Sequence, residues 1–223
     1  IIFADAPDLG MAVGYAAGNA FLGMSGQVCV CQSRLLVDRS VYDEVMEHLV
    51  GFTAMSIFGD PFDPGTTAAP LISAGHHARV QGFVDRAAAA GATIAAGGSR
   101  PDGAPEDGYF FAPTVITDVD PSMEIAREEV FGPVVCVQPF DTEDEAVALA
   151  NDTEYGLAAA VYTGDLSRSV RLSRRLRAGN VGFNTWTLQA HVPFGGMKQS
   201  GLGRENGESG LRDYLDTKTV FLA

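Results

Sequence analysis

The chain has 223 residues, 46% of them hydrophobic, enough to bury the core of one large domain. A formal charge of −13 repels phosphate backbones and anionic lipid, which argues against nucleic acid and membrane surfaces as partners. Three cysteines, an odd number, do not make a disulfide framework in a chain this long and point to a reducing compartment, the cytoplasm.

The opening IIFADAPD has neither the basic stretch nor the cleavage site of a signal peptide and reads like the middle of a strand. From Asp8 to about Met24, apolar residues and alanines recur at helical spacing behind an entry signal of Pro7 and Asp8. After a cysteine-bearing loop, Arg34 to Val37 is a short β-type run. Ser40 and Asp43 then stand in capping-box spacing before a helix with Val41, Val45, Leu49 and Phe52 on one face. The Pro/Gly-rich stretch Asp60 to Pro70 is a loop, and Ser73 caps the next helix, which Gly91 closes.

Four segments, TIAAGG, TVITDV, PVVCVQPF and LAAAVYTG, read as strands, interleaved with a helix capped by Thr142 and Glu145 and an arginine-rich helix starting at Asp165. The arginines, gathered toward that helix's C-terminus, are expected to form a solvated face that complements its dipole. The tail DTKTVFLA reads as a strand without a following helix, suited to pairing with a sheet edge of its own or a neighbouring chain. Alternating strands and helices predict an α/β fold, a layered sandwich around a mostly parallel sheet.

The loop GMSGQVCVCQSR, Gly23 to Arg34, carries two of the three cysteines. A zinc site needs about four N or S ligands. No histidine is near Cys29 and Cys31 in sequence, and Cys136 falls inside a strand, so no metal is expected. Redox pairs are usually spaced Cys-x-x-Cys beside a helix N-terminus, unlike this Cys-x-Cys. Two readings remain: small buried hydrophobes, or one working thiol with a passive neighbour. Gly23, Ser25 and Gly26 favour the second, because they let the backbone approach a ligand closely. A carbonyl carbon could reach a thiol there while the thiol's own N–H faces the developing oxyanion. Spacing does not separate Cys29 from Cys31.

SGQVCVCQSR resembles the Gly-Gln-x-Cys signature of the aldehyde dehydrogenase superfamily, in which the nucleophile is the first cysteine after Gln, here Cys29. AREEVFGPVV resembles the family's Glu-x-Phe-Gly-Pro segment, which implies that Glu129 hydrogen-bonds the nicotinamide ribose and that Phe131 packs against that end of the cofactor. NDTEYGLAAAVYTGD, GNVGFNTW and PFGGMKQSGLGRENG resemble further family blocks, in the family's order. By the same resemblance Phe194 walls the aldehyde pocket, and Arg79 with His76 sits where relatives carry polar contacts to the cofactor ribose.

The resemblance thus implies a three-layer α/β/α sandwich of the aldehyde dehydrogenase catalytic-domain type over residues 1–199, with 200–223 as a return segment and oligomerisation strand. It implies NAD(P)-dependent oxidation of a small-molecule aldehyde to a carboxylic acid through a cysteine thiohemiacetal and thioester, in a homo-oligomer joined by the C-terminal strand. The family's general-base glutamate, oxyanion asparagine and larger cofactor-binding half lie upstream of the segment that IIFADAPD resembles. The expected object is therefore the C-terminal half of such an enzyme. Two other readings compete for it, a non-catalytic assembly module and a cysteine-dependent esterase. The EEVFGP segment argues against the esterase, since a hydrolase needs no nicotinamide-ribose clamp.

Overall fold

A computed structural model describes all residues, 1–223. Helix α1 (Leu9–Phe21) begins where the Asp8 carboxylate accepts from the Met11 N–H, and its small side chains Ala12, Ala16 and Ala20 are buried. β1 (Arg34–Asp38), α2 (Tyr42–Thr53), α3 (Ala74–Ala89), β2 (Thr93–Ala96), β3 (Thr114–Thr117) and the short α4 (Glu124–Arg127) follow. Then come β4 (Val134–Phe140), α5 (Glu143–Asn151), β5 (Ala158–Val161), α6 (Leu166–Arg175), β6 (Asn180–Phe183) and α7 (Gly207–Arg212).

The strands form a four-stranded sheet in the order β1-β4-β3-β2, parallel except for β2 at the edge, and a parallel β5-β6 pair. Ile2 joins the two, bridging Val37 on one side and Tyr162 on the other in the parallel sense. Its N–H donates to Leu36 O at 2.8 Å, and the Phe3 N–H donates to Tyr162 O at 3.0 Å. The strand-like opening residues thus lie at the centre of the sheet.

Side chains alternate across a strand, and here the alternation sorts them between two helical layers. Leu35, Val37, Val115, Val135 and Val137 face α1 and α2. Ile116, Val134 and Cys136 face α3 and α4, while Leu36, Phe140 and Val161 face α5 and α6. The result is the expected α/β/α sandwich.

Two local expectations need correction, one strand goes beyond them, and one of two alternatives for the tail falls away. The Ser40/Asp43 capping box does not form: Asp38 accepts from the Ser40 N–H and hydroxyl to cap a single 3₁₀ turn, which runs directly into α2. The arginines of α6 are not merely solvated. Arg168 and Arg171 lie 3.3 and 2.8 Å from the Glu143 carboxylate, and Arg175 lies 2.6 Å from Asp144, so α6 is fastened to the first turn of α5. The hydrogen bond from Arg171 is the main cause holding the Glu143 carboxyl below the usual carboxylate range. β6 supplies a strand that composition does not flag, because Gly182 interrupts its β-type pattern. Finally, the tail from Asp216 to Ala223 is exposed and pairs with no edge of its own chain. Of the two expected pairings, the one with an edge of its own chain does not form.

Candidate active site

The thiol loop starts where α1 ends. Ser25 and Gly26 take left-handed φ values of 50° and 71°, turning the chain back toward the sheet. The Ser25 hydroxyl donates to Ala69 O at 2.7 Å. Gln27 does the most fastening: its Nε2 donates to Met24 O and Pro70 O at 3.0 and 3.1 Å, and its Oε1 accepts from the Ile72 N–H at 2.9 Å. Both ends of one amide therefore hold the loop against residues 70–72. A Cβ on Gly26 would collide with the Gly132 carbonyl, and a Cβ on Gly132 would come within 2.8 Å of Val80 on α3. The thiol loop is therefore packed backbone on backbone against the Glu129–Gly132 segment, which in turn rests on the Val80 side chain of α3.

The three thiols differ by environment. Cys29 is exposed, and its backbone N–H donates to no acceptor within the chain. Cys31 is half-buried against the core between α1 and the sheet, and burial, with the Glu129 carboxylate adding to it, pushes its pKa up to about 12. Cys136 is buried in β4 and is likewise pushed to about 12 by burial, which outweighs the opposing pull of Arg34. The choice that spacing leaves open between Cys29 and Cys31 is a difference in exposure.

Cys29 and Glu129 line one cavity of about 380 Å³, together with Cys31, Glu128, Tyr155 and Trp186. Burial raises the pKa of Tyr155, helped by the carboxylates of Glu128 and Glu129. Phe131 lies beside this cavity rather than on it; it is 37% exposed and holds φ at 60°, left-handed for a bulky residue. Arg79 is on the facing edge of α3 with both terminal nitrogens on backbone, at 2.5 Å from Val130 O and 2.7 Å from Glu129 O. His76 Nε2 is 2.7 Å from Phe131 O, so that nitrogen carries the proton.

Phe194 belongs to a second cavity of about 380 Å³, with Thr185, Trp186, Leu188 and Val192. Its backbone is pinned to Glu205 by a pair of hydrogen bonds, 2.8 and 2.7 Å, which folds the return segment against residues 190–196. The structure therefore brings Cys29 and Glu129 together and places Phe194 one cavity away, with Trp186 common to both. Gln27, Tyr155 and Trp186 lie inside the sequence motifs, which assign them no role. Gln27 is legible as a polar fastener next to glycines, whereas the other two depend on which strands become neighbours. No group of three or more His, Cys, Asp or Glu side chains converges as a metal cage, and no helix is long and apolar enough to cross a membrane.

Residues 1–220 match the family model described as "Aldehyde dehydrogenase family". The chain is 48% identical over 197 residues to a chloroplastic betaine aldehyde dehydrogenase of Beta vulgaris, covering 88% of this chain and 39% of the relative. It is 43% identical over 223 residues to a betaine aldehyde dehydrogenase of Rhizobium johnstonii, covering 100% and 45%. Among solved structures it resembles betaine aldehyde dehydrogenase from Staphylococcus aureus in complex with NAD+, with a TM-score of 0.93, 46% identity and coverage of 97% and 43%. It also resembles an aldehyde dehydrogenase of Mycobacterium tuberculosis complexed with NAD+, with a TM-score of 0.94, 40% identity and coverage of 100% and 46%. The chain thus spans less than half the length of the relatives it matches.

Proposed function

The chain belongs to the aldehyde dehydrogenase family, and from that premise we propose that it supplies the thiol-bearing site of an NAD(P)-dependent aldehyde oxidation. The observation that carries this reading is the pairing of an exposed Cys29, its backbone N–H free, with the Glu129 carboxylate across one cavity. Cys29 Sγ adds to the aldehyde carbon, and its own N–H is placed to donate to the oxyanion of the resulting thiohemiacetal. Loss of hydride leaves a thioester on Cys29, which water cleaves with the help of a general base, a role we assign to no residue of this chain.

The residues present fit a nicotinamide nucleotide: an exposed carboxylate at the thiol cavity suits ribose hydroxyls, and an exposed aromatic beside it offers a flat face. Glu129 and Phe131 would hold it. The nucleotide, when bound, supplies the hydride acceptor. The chain's own residues do the rest: Gln27 fixes the loop, Gly26 permits its close approach, and half-burial keeps Cys31 protonated beside the working thiol.

For the substrate we assign an aldehyde carrying a quaternary ammonium group. The names of the relatives support it, as does Trp186, the chain's one tryptophan, at the junction of both cavities, since an indole face attracts such cations. The exposed tail, with Val220, Phe221 and Leu222 in water, supports strand addition between copies. The test is NADH formation from betaine aldehyde against its uncharged tert-butyl isostere. Preference for the cation by tenfold or more in kcat/KM, lost in Trp186→Leu, is expected; equal use of both sinks the substrate class, and no NADH from any aldehyde sinks the reaction.

A further inference from the structure

Between α3 and the Glu129 segment is a contact that neither a core nor a substrate pocket requires. Three consecutive carbonyls, of Glu129, Val130 and Phe131, are taken by two side chains one helical turn apart. Arg79 donates to the first two, and His76 donates to the third. The guanidinium is stacked besides, its central carbon 4.6 Å from the centroid of the Phe83 ring, and the His76 ring meets the Phe131 ring edge-on at 6.4 Å. A charged fork spent on neutral backbone oxygens orders a segment strongly, because charge-assisted hydrogen bonds are the stronger kind. The segment it orders contains Phe131 in a left-handed conformation that a bulky L-residue keeps only when its surroundings impose it.

We propose that His76 and Arg79 are positioning residues. They form a clamp that bends the Glu129–Phe131 backbone so that the Glu129 carboxylate stays at the thiol cavity and the Phe131 ring stands free beside it. They act through those carbonyls and do not touch the nucleotide themselves. The clamp's geometry is independent of any function; its effect on nucleotide binding rests on the proposed dehydrogenase reading.

Two measurements on the complete protein separate the clamp from that reading. The first needs no activity: glutamyl endopeptidase cleaves after the exposed Glu128 and Glu129 only when the segment leaves its place. Arg79→Met and His76→Ala should speed that cleavage roughly tenfold at an unchanged thermal midpoint, and His76→Gln, which keeps an N–H donor, should restore most of the protection. Wild-type cleavage rates in both variants overturn the clamp. The second is NADH binding together with KM for NAD+. Arg79→Met should weaken both by about tenfold with the aldehyde KM unchanged, and in a Glu129→Gln/Phe131→Ala background it should cost nothing more. The same tenfold loss in that background means direct contact and overturns the proposal. A wild type that binds no nucleotide overturns the functional reading, and the cleavage rates still decide the clamp.

Discussion

Cys29 and Cys136 are the same residue in two regions built on opposite backbone logic. In β4 the Cys136 N–H is consumed by Ser33 O at 2.9 Å, its sulfur lies 3.5 Å from Ile125 O under α4, and burial holds it protonated. In the thiol loop, which turns through the left-handed Gly23, Ser25 and Gly26 before β1 begins, Cys29 keeps both a free N–H and an open thiol. Thiol exposure here is a property of backbone context, and a short loop held from behind by Gln27 supplies it without opening the neighbouring sheet.

The largest effect that would break the comparison is on turnover. Cys29→Ala should lower NADH formation to below roughly one thousandth of wild type, as loss of a covalent nucleophile does, while Cys31→Ala and Cys136→Ala should each retain most of it. Equal loss at Cys29 and Cys31 would mean that exposure does not choose the nucleophile. Next comes the loop itself. Gly26→Ala meets both a left-handed φ and the Gly132 carbonyl, and should cost about 3 kcal/mol or more in urea unfolding. Gly23→Ala, also left-handed but facing open space, should cost only about 1–2 kcal/mol. Similar values would show that the backbone contact between thiol loop and Glu129 segment is not tight. Then comes labelling: with a pKa of about 12, Cys31 is thiolate in roughly one molecule in ten thousand at pH 8, so iodoacetamide should label Cys29 first and Cys31 far more slowly. Peptide mapping after short exposure reads the order, and equal labelling would put Cys31 in the open.

How much of this is legible in the sequence follows from the range of the forces involved. Caps at Asp8, Ser73, Thr142 and Asp165 are local, and each forms where its sequence signal stands. The Ser40 cap fails because Asp38, two residues earlier, competes for the same N–H. Motifs name Cys29 and Glu129, but their meeting in one cavity depends on Gly26 lying against Gly132, a contact between residues over a hundred positions apart. Arg79 points to the ribose in the sequence only through the family resemblance, which places polar ribose contacts at that position. That its nitrogens end on carbonyls depends on α3 lying against the left-handed turn at Phe131, a tertiary contact that no propensity encodes. The tail reads as a strand in its pattern, yet no edge within the chain completes it.

The smallest effect tests the buried half of the comparison through pH. Cys136 has an ordinary thiol pKa of 9.0 when unfolded and about 12 in the fold, the raised value coming from burial. Below pH 9 both states keep the proton and the full stability is present. Between pH 9 and 12 the unfolded chain gives up its proton while the folded one does not, so stability falls as pH rises through that window. One unit above the unfolded value, at pH 10, the loss from this thiol is about 1.4 kcal/mol. Cys31 shares the window and Tyr162, also raised to about 12, joins it from above pH 10, so the wild type should decline by more than one thiol's share. Cys136→Val removes that share while keeping an apolar side chain under α4. Urea midpoints at pH 8 and pH 10 should therefore fall less for the variant than for the wild type. An identical fall in both would mean that water reaches the β4 thiol, and that the strand, unlike the loop, does not owe its inertness to burial.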